Sequence, residues 1–169
     1  MPELNNQNFN HLKIHTQYSI CEGAIKIDNL KDFCKEKKIP CLGISDTSNL
    51  CGALEFAENI SKVGTQPIIG TQIYFRFEDT TGLLPLIALN ENGYKRIIEL
   101  SSRSYLENDA LSVPHLDIKE LLIDTEGVSL FSGTIQGLFG KLFEKGRLDE
   151  ISKLYRSLSS KFNDNFYLE

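Results

Sequence analysis

The residues best suited to chemistry lie near the start of the sequence, in the segment HLKIHTQYSICEG that begins at His11. On a strand, His11, Lys13 and His15 would share one face, because side chains alternate along a strand. Glu22 would lie on the loop beyond that strand. Imidazole and carboxylate groups bind metals, but the Lys13 ammonium would repel the ion, so spacing alone does not favour a metal site. The alternative is a polar strand in which Lys13 pairs with a carboxylate such as Glu22 or Asp46.

Two other motifs point away from catalysis. Residues 133–141 read GTIQGLFGK, but Ile135 and Leu142 replace residues that a Walker phosphate-binding loop needs, so we predict a glycine-rich turn before a helix. In the motif SDTSN, we expect Asp46 and Asn49 to shape the loop after a strand, since Asp and Asn side chains hydrogen-bond the nearby backbone.

These residues need a framework of short strands and helices. Apolar runs with period-2 patterning or with turn residues at their ends predict strands. Apolar residues at helical spacing predict helices. In the first predicted helix, we expect Asp28 to cap the first turn. The predicted strands cover residues 11–15, 41–45, 128–131 and 166–169, with a β-hairpin at 71–77 and 83–89. The predicted helices cover residues 27–38, 52–62, 90–105 and 151–162, with His115 in a loop before a further helix, in a surface or capping role.

The alternation of strands and helices predicts an α/β fold with a mostly parallel sheet or barrel. The active site of such a fold lies at the carboxyl ends of the strands. Because the sequence stops within its last predicted strand, we expect it to be a fragment of a longer protein.

Composition narrows the function classes. The 169 residues are 41% hydrophobic, without an apolar run long enough to cross a membrane. The net charge of −5 argues against strong direct DNA binding, which normally needs a basic surplus. No secretory signal is visible, so we expect a cytoplasmic protein. The cysteines contain no CxxC pair and are expected to be reduced, packed or semi-buried thiols; they are Cys21, Cys34, Cys41 and Cys51.

Several segments together resemble a known family. They are HLKIHTQYSICEGA, IPCLGISDTSNLCGALEFAE, QPIIGTQIYF, LIALNENGYKRIIELSSRSYLE, EGVSLFSG and FYLE. In this order and spacing they are similar to the start of the alpha, or catalytic, subunits of bacterial DNA polymerase III, the C-family replicative polymerases. The resemblance covers nearly the whole chain and implies that residues 1–169 are the N-terminal part of a polymerase and histidinol phosphatase (PHP) domain. That domain is a distorted TIM-barrel-like (β/α)7 barrel, which this chain would leave incomplete.

The family's metal site appears here in altered form. Members that keep phosphoesterase or proofreading activity hold metal ions through His, Asp, Glu and Cys side chains. The matching residues in this sequence are Lys13, Glu22, Thr47, Gln72, Leu83 and Thr134, in place of His, Asp, His, Glu, His and Cys. Only His15 and Glu22 keep the chemistry of a metal ligand. The resemblance therefore implies a degenerate, metal-free site without catalytic residues, whose remnants also include Asp46 and Asn49.

The resemblance also implies a role and partners. We expect a structural module that docks the proofreading exonuclease within the replicase holoenzyme, together with the rest of the alpha subunit. The complete protein would be a DNA-directed DNA polymerase, which is a nucleotidyltransferase. Its Mg²⁺-binding palm domain would lie outside this chain, and this chain would meet DNA only as part of the complete polymerase. The alternative is an active metal-dependent PHP phosphoesterase or 3'-5' exonuclease. At the altered site, we expect the Lys13 ammonium to replace a lost ion, held by Glu22 and Asp46.

Overall fold

The computed structural model describes residues 9–169, so residues 1–8 of the expected domain lie outside the described part. It contains a six-stranded sheet and helices on its outer face. The strands are β1 Cys41–Thr47, β2 Gln66–Phe77, β3 Thr80–Ala88, β4 His115–Asp117, β5 Val128–Phe131 and β6 Phe166–Tyr167. The helices are α1 Ile27–Lys37, α2 Ala53–Ser61, α3 Glu91–Leu106, α4 Ile118–Leu121, α5 Leu138–Glu144 and α6 Leu148–Phe162, followed by a 3-10 turn at Asn163–Asn165.

The sheet is mixed. Its strand order is β1-β2-β3-β5-β6, and β4 pairs with the far end of β2. β2 runs parallel to β1 and β4, and β6 runs parallel to β5, whereas β3 is antiparallel to both of its neighbours. The predicted hairpin is confirmed as β2 and β3, joined by the tight turn at Glu78 and Asp79. The expected α/β class is also confirmed, with the hairpin making the sheet less parallel than predicted.

The prediction of a regular strand at residues 11–15 is wrong. Residues 11–15 form only one isolated bridge, between Ile14 and Ile44. The segment nevertheless lies against the free edge of β1, where Gly43 N donates to His11 O at 2.7 Å and Ser45 N donates to Ile14 O at 2.8 Å. Glycine is needed at position 43, since a Cβ there would lie 2.7 Å from Leu12 O. The chain turns away at once after this short contact, which prevents a longer ladder.

The sheet is strongly curved. The segment containing Lys13 lies beside β1 at one end of the strand order, and Glu169 follows β6 at the other end. In a flat sheet these positions would be roughly 24 Å apart, from five strand spacings of about 4.8 Å. Yet Lys13 Nζ lies 2.8 Å from Glu169 Oε1. The two ends of the sheet therefore approach each other around a central space.

The core lies between the convex face of the sheet and the helices. Alternate residues of β2, Ile73, Phe75 and Phe77, pack toward α3 and α6, in a cluster that includes Ile97 and Leu154. A second cluster joins α1 and α2 to β1. The intervening residues of β2 point to the opposite, concave face, because side chains alternate along a strand. The sheet's inner face is thus free for polar side chains.

Several local predictions need correction. Asp28 does not cap α1; the N-cap is Lys26, and Asp28 pairs instead with Lys31 at 3.0 Å. His115 begins β4 rather than lying in a loop, because pairing with β2 makes the segment extended.

The helices predicted at 27–38, 52–62, 90–105 and 151–162 are confirmed within one or two residues, except that α6 begins earlier, at Leu148. A turn leading into helix α5 is also confirmed.

The cysteines are free thiols in the described residues. Cys34 is buried and Cys41 half-buried, as expected, but Cys21 and Cys51 are exposed, since both lie on loops at the surface. Across residues 9–169, no helix combines the length and the apolar character needed to cross a membrane.

Candidate functional site

A cavity of about 220 Å³ opens on the concave face, near the carboxyl ends of β1 and β5. It collects most of the residues that motif matching identified, although they come from distant parts of the sequence. The lining residues are Lys13, His15, Glu22, Gln72, Leu83, Gly133, Thr134, Gln136 and Gly137. Five of the eight candidate site residues thus lie together here, namely Lys13, His15, Glu22, Gln72 and Thr134.

Thr47 joins this cavity through a short chain of hydrogen bonds. Thr47 and Gln72 are register partners on the adjacent strands β1 and β2, so their side chains lie on the same face. Gln72 Nε2 donates to Thr47 Oγ1 at 2.8 Å. The Thr47 hydroxyl in turn donates to the Glu22 carboxylate. The charge of Glu22 is thus stabilised by a neutral hydroxyl and amide.

Lys13 is held by a residue that the sequence reading did not consider. Its ammonium donates to both carboxylate oxygens of Glu169, at 2.8 and 3.0 Å. The expected pairing with Glu22 and Asp46 is wrong. Glu22 is bound by Thr47, and Asp46 lies on the other face of β1. About a quarter of each of the Lys13 and Glu169 side chains is exposed, so the pair is largely shielded from water.

Asp46 anchors the loop of residues 16–23 from the opposite face of β1. It is 1% exposed and accepts hydrogen bonds from Thr16 N at 2.6 Å, Thr16 Oγ1 at 2.7 Å and Ser19 Oγ at 2.7 Å. Because Asp46 and Thr47 are consecutive on one strand, only one of them can face the cavity. The prediction that Asp46 shapes the loop after the strand is therefore wrong, since its carboxylate holds the earlier loop of residues 16–23 from within β1.

Asn49 also has a structural position outside the cavity lining. Its amide donates to Tyr18 O at 3.0 Å and to Thr47 O at 2.9 Å, and its oxygen accepts from Cys51 N at 3.0 Å. These contacts confirm the loop-shaping role predicted for Asn49.

The loop of residues 16–23 is also attached to α2 through a tyrosine. Tyr18 Oη donates to Glu55 Oε2 at 2.6 Å. This hydrogen bond, with the negative charge of Glu55, raises the pKa of Tyr18 above its ordinary value. Gly52 allows the ring to approach α2, since a Cβ there would lie 2.7 Å from Tyr18 Cδ2. The loop beside the cavity is therefore held at both its base and its outer side.

His15 is the histidine whose position would best allow it to bind a ligand in the cavity. Its Nδ1 atom is buried and has no hydrogen-bond partner among the residues that the structure describes. The side chain as a whole is half-buried at the cavity wall. His11 lies apart from this cavity, and His115 is on β4. Among residues 9–169, no second imidazole lines the cavity beside His15.

The comparison with protein families agrees with this arrangement. Residues 11–169 match the family model of the PHP domain. The chain belongs to the PHP domain family. The match spans the segment beside β1, the whole sheet and Glu169, so every described element that forms the cavity lies within the domain.

The PHP domain is also similar to part of much longer curated proteins. It is 35% identical to a DNA polymerase III subunit alpha of Caulobacter vibrioides, over 100% of this chain and 16% of the relative. It is 33% identical to the DNA polymerase III subunit alpha of Rickettsia felis, over 95% of this chain and 13% of the relative. The chain thus spans about one seventh of the length of these relatives.

Among solved structures, an amidohydrolase from Chromobacterium violaceum aligns with a TM-score of 0.42 at 13% identity. The alignment covers 87% of this chain and 54% of that chain. This likeness is too weak to add to the family assignment.

The cavity of this PHP domain does not fit the metal cluster of those family members that keep phosphoesterase or proofreading activity. Apart from His15 and Glu22, the polar lining consists of amide, hydroxyl and ammonium groups. Within the described range, no three His, Cys, Asp or Glu side chains converge as a metal site would require. The Lys13 ammonium has no lone pair to offer a metal and is already engaged by Glu169.

Two features of the site were missed from the sequence. Glu169 belongs to the quoted motif FYLE, but nothing in its spacing indicates a contact with Lys13, 156 positions earlier. Gln136 was considered only as part of a glycine-rich turn. Its place after β5, in the same turn as Thr134, was the available signal that it would line the cavity.

Proposed function

We propose that this PHP domain is a metal-free structural and docking module of a DNA polymerase III alpha subunit. Support for the parent protein is the similarity to alpha subunits over 95% or more of the chain. The observation that carries the metal-free role is the contact of Lys13 with Glu169 at the cavity, where the family's motif has a metal-binding His. A fixed cation thus takes the place of a ligand and is neutralised by the protein itself.

The hydrogen bonds of the cavity support the same role. Glu22 accepts a hydrogen bond from Thr47, and Thr47 accepts one from Gln72. The Glu22 carboxylate, the acidic group of the cavity lining, therefore needs no external cation. Glu22 is exposed, so water also stabilises its charge. Its carboxylate is already engaged by the Thr47 hydroxyl, which favours a structural site over a hydrolytic one.

We propose that the curved sheet is part of a distorted (β/α)7 barrel. The contact between Lys13 and Glu169 brings the two ends of the strand order together, as barrel closure requires. The order of strands is locally irregular because the β2–β3 hairpin is antiparallel, which fits a distorted rather than a regular barrel.

The activity proposed for the parent is DNA-directed nucleotidyl transfer in the cytoplasm, as part of DNA replication. Its Mg²⁺-dependent palm would be contributed by other parts of the subunit. The net charge of −5 favours contact of this domain with protein rather than directly with DNA. We propose that the domain docks the 3'-5' proofreading exonuclease as a separate subunit of the replicase.

The test of the metal-free site is metal analysis with a phosphoesterase assay. The chain is purified without chelator beside the variant Lys13→His/Thr47→His/Gln72→Glu, which restores three ligand types. We expect no stoichiometric zinc, manganese or iron and no hydrolysis in the wild type, and a gain of metal in the variant. Stoichiometric metal in the wild type, with hydrolysis that chelator abolishes, would instead identify an active phosphoesterase.

Docking is tested separately by calorimetric titration with the purified proofreading exonuclease of the same replicase. We expect saturable one-to-one binding that is unchanged by chelator. Absence of binding both to this chain and to the complete alpha subunit would refute the docking role while leaving the metal-free site unaffected.

A further inference from the structure

A second cavity lies next to the first and has no role in the proposed function. Its volume is about 370 Å³, and its lining residues are Tyr74, Thr81, Ser112, Val113, His115 and Lys141. The two cavities are neighbours because β2 directs Gln72 to the first and Tyr74, two residues later, to the second. We name this second cavity the Tyr74–Lys141 pocket.

The pocket has a positive charge that is not neutralised. Lys141 Nζ donates to Thr81 O at 2.9 Å and lies 5.7 Å from the centroid of the Tyr74 ring. Within residues 9–169, no carboxylate lies within 4.0 Å of this ammonium, and the pocket lining contains neither Asp nor Glu. An ammonium has three donor hydrogens, so two remain after the bond to Thr81. This contrasts with Lys13, whose charge is fully paired at the neighbouring cavity.

Two further polar groups converge on the same pocket. Tyr74 and His115 are register partners on the parallel strands β2 and β4, which places both side chains on one face. The His115 ring is oriented by a contact of 2.8 Å between Nδ1 and Val113 O. The Tyr74 hydroxyl and His115 Nε2 take part in no hydrogen bond among the described residues. Burial and the charge of Glu22 raise the pKa of Tyr74, so its hydroxyl stays protonated and can donate.

We propose that the Tyr74–Lys141 pocket binds a small oxyanion, a phosphate or a carboxylate group. The Lys141 ammonium would supply the opposite charge, and the Tyr74 hydroxyl would donate a second hydrogen bond. Charge-assisted hydrogen bonds of this kind are stronger than neutral ones, and partial burial reduces their screening by salt. The proposal does not depend on the proposed scaffold function, because neither Lys13 nor Glu169 lines this pocket.

The test is a titration of the isotope-labelled chain with inorganic phosphate and, in a separate arm, with acetate, at constant ionic strength. Backbone amide NMR shifts report where each anion binds. We expect saturable shifts centred on Tyr74, His115 and Lys141, with the tighter anion identifying the oxyanion class. Shifts that fail to saturate with both anions, or that centre on Lys13 and His15, would overturn the proposal.

Variants distinguish a built pocket from general attraction of anions. Lys141→Met keeps the aliphatic stem and should weaken binding about tenfold or more, since the charged donor is lost. The matched control is Lys161→Met, which removes an exposed lysine from the last turn of α6 and should leave affinity unchanged. Tyr74→Phe keeps the ring beneath Lys141 and tests the hydroxyl alone, with a smaller loss expected. Equal weakening by Lys141→Met and Lys161→Met would refute a specific pocket.

Discussion

The contact between Lys13 and Glu169 can be tested by a double-mutant cycle. The two single variants are Lys13→Met, which keeps the aliphatic stem, and Glu169→Gln, which keeps the shape of the carboxylate. The free energy of unfolding is measured for the wild type, both single variants and the double variant. The coupling energy of the cycle isolates the interaction of the two side chains from their other contacts.

The expected magnitude follows from burial and geometry. Fully exposed ion pairs contribute about 0.2–1 kcal/mol, whereas removal of one partner from a fully buried pair costs about 3–5 kcal/mol. Lys13 and Glu169 are 23% and 25% exposed, and both carboxylate oxygens accept a hydrogen bond. We therefore expect a coupling energy of about 1–2 kcal/mol, between these limits. For a chain of this length, that corresponds to a fall in Tm of about 2–8 °C.

Urea unfolding followed by circular dichroism measures the cycle, and Tm from calorimetry checks it. The matched control is the exposed pair of Lys31 and Asp28 on α1, also joined at 3.0 Å, for which we expect at most a few tenths of a kcal/mol. A coupling energy below about 0.5 kcal/mol for Lys13 and Glu169 would refute the reasoning, because independent sites already scatter by that amount. The contact would then not link the two ends of the sheet energetically.

Three further predictions concern residues that hold loops and helices in place. Asp46→Asn should cost about 2–3 kcal/mol in urea unfolding, since the buried carboxylate accepts three hydrogen bonds. Gly93→Ala should cost about 3 kcal/mol or more, because a Cβ would lie 1.7 Å from Gly127 O in the backbone. Tyr18→Phe should destabilise the chain near neutral pH, since the hydroxyl donates to Glu55. The raised pKa of Tyr18 means that this stability is present below pH 10 and lost as pH rises further, so the Tm difference between the two proteins should shrink above pH 10.

Controls and contradicting results differ among these three. Asp32→Asn on the exposed face of α1 should change stability little, and an equal loss in Asp46→Asn and Asp32→Asn would contradict the anchoring role of Asp46. A cost below about 1 kcal/mol for Gly93→Ala would show that α3 can move away from Gly127. A Tm difference between wild type and Tyr18→Phe that stays constant from pH 7 to 11 would contradict the hydrogen bond to Glu55.

Local patterns allowed much of the framework to be predicted. The β2–β3 hairpin follows from two apolar runs around a polar turn, and the sequence predicted α3 as a long helix over residues 90–105. Asn90, predicted as its first residue, is in fact its N-cap, and Asn90 Oδ1 accepts from Gly93 N at 2.9 Å. These elements depend on residues close in sequence, so the sequence contains most of the information that forms them.

Contacts between distant segments could not be predicted in the same way. The segment at His11 looks like a strand, but its actual extent depends on how much of the β1 edge it can reach. His115 becomes a strand residue only because β2 is long enough to offer a partner at Tyr74. The partner of Lys13 likewise depends on the curvature of the whole sheet, which no local pattern specifies. Charge and proximity in sequence suggested Glu22 or Asp46 instead.

Strand alternation explains why the site was predicted in place but not in detail. Lys13, Gln72 and Thr134, which motif matching grouped, line one cavity, since Gln72 lies on β2, Thr134 follows β5 and Lys13 lies in the segment beside β1. Motif matching also grouped Asp46 with Thr47, although consecutive strand residues face opposite sides. One of the two could enter the cavity, and the register of β1 with β2 assigns Thr47 to it through Gln72. The position of a motif thus indicates where a residue lies, whereas the partner that stabilises its charge is decided by the face of the strand and the curvature of the sheet.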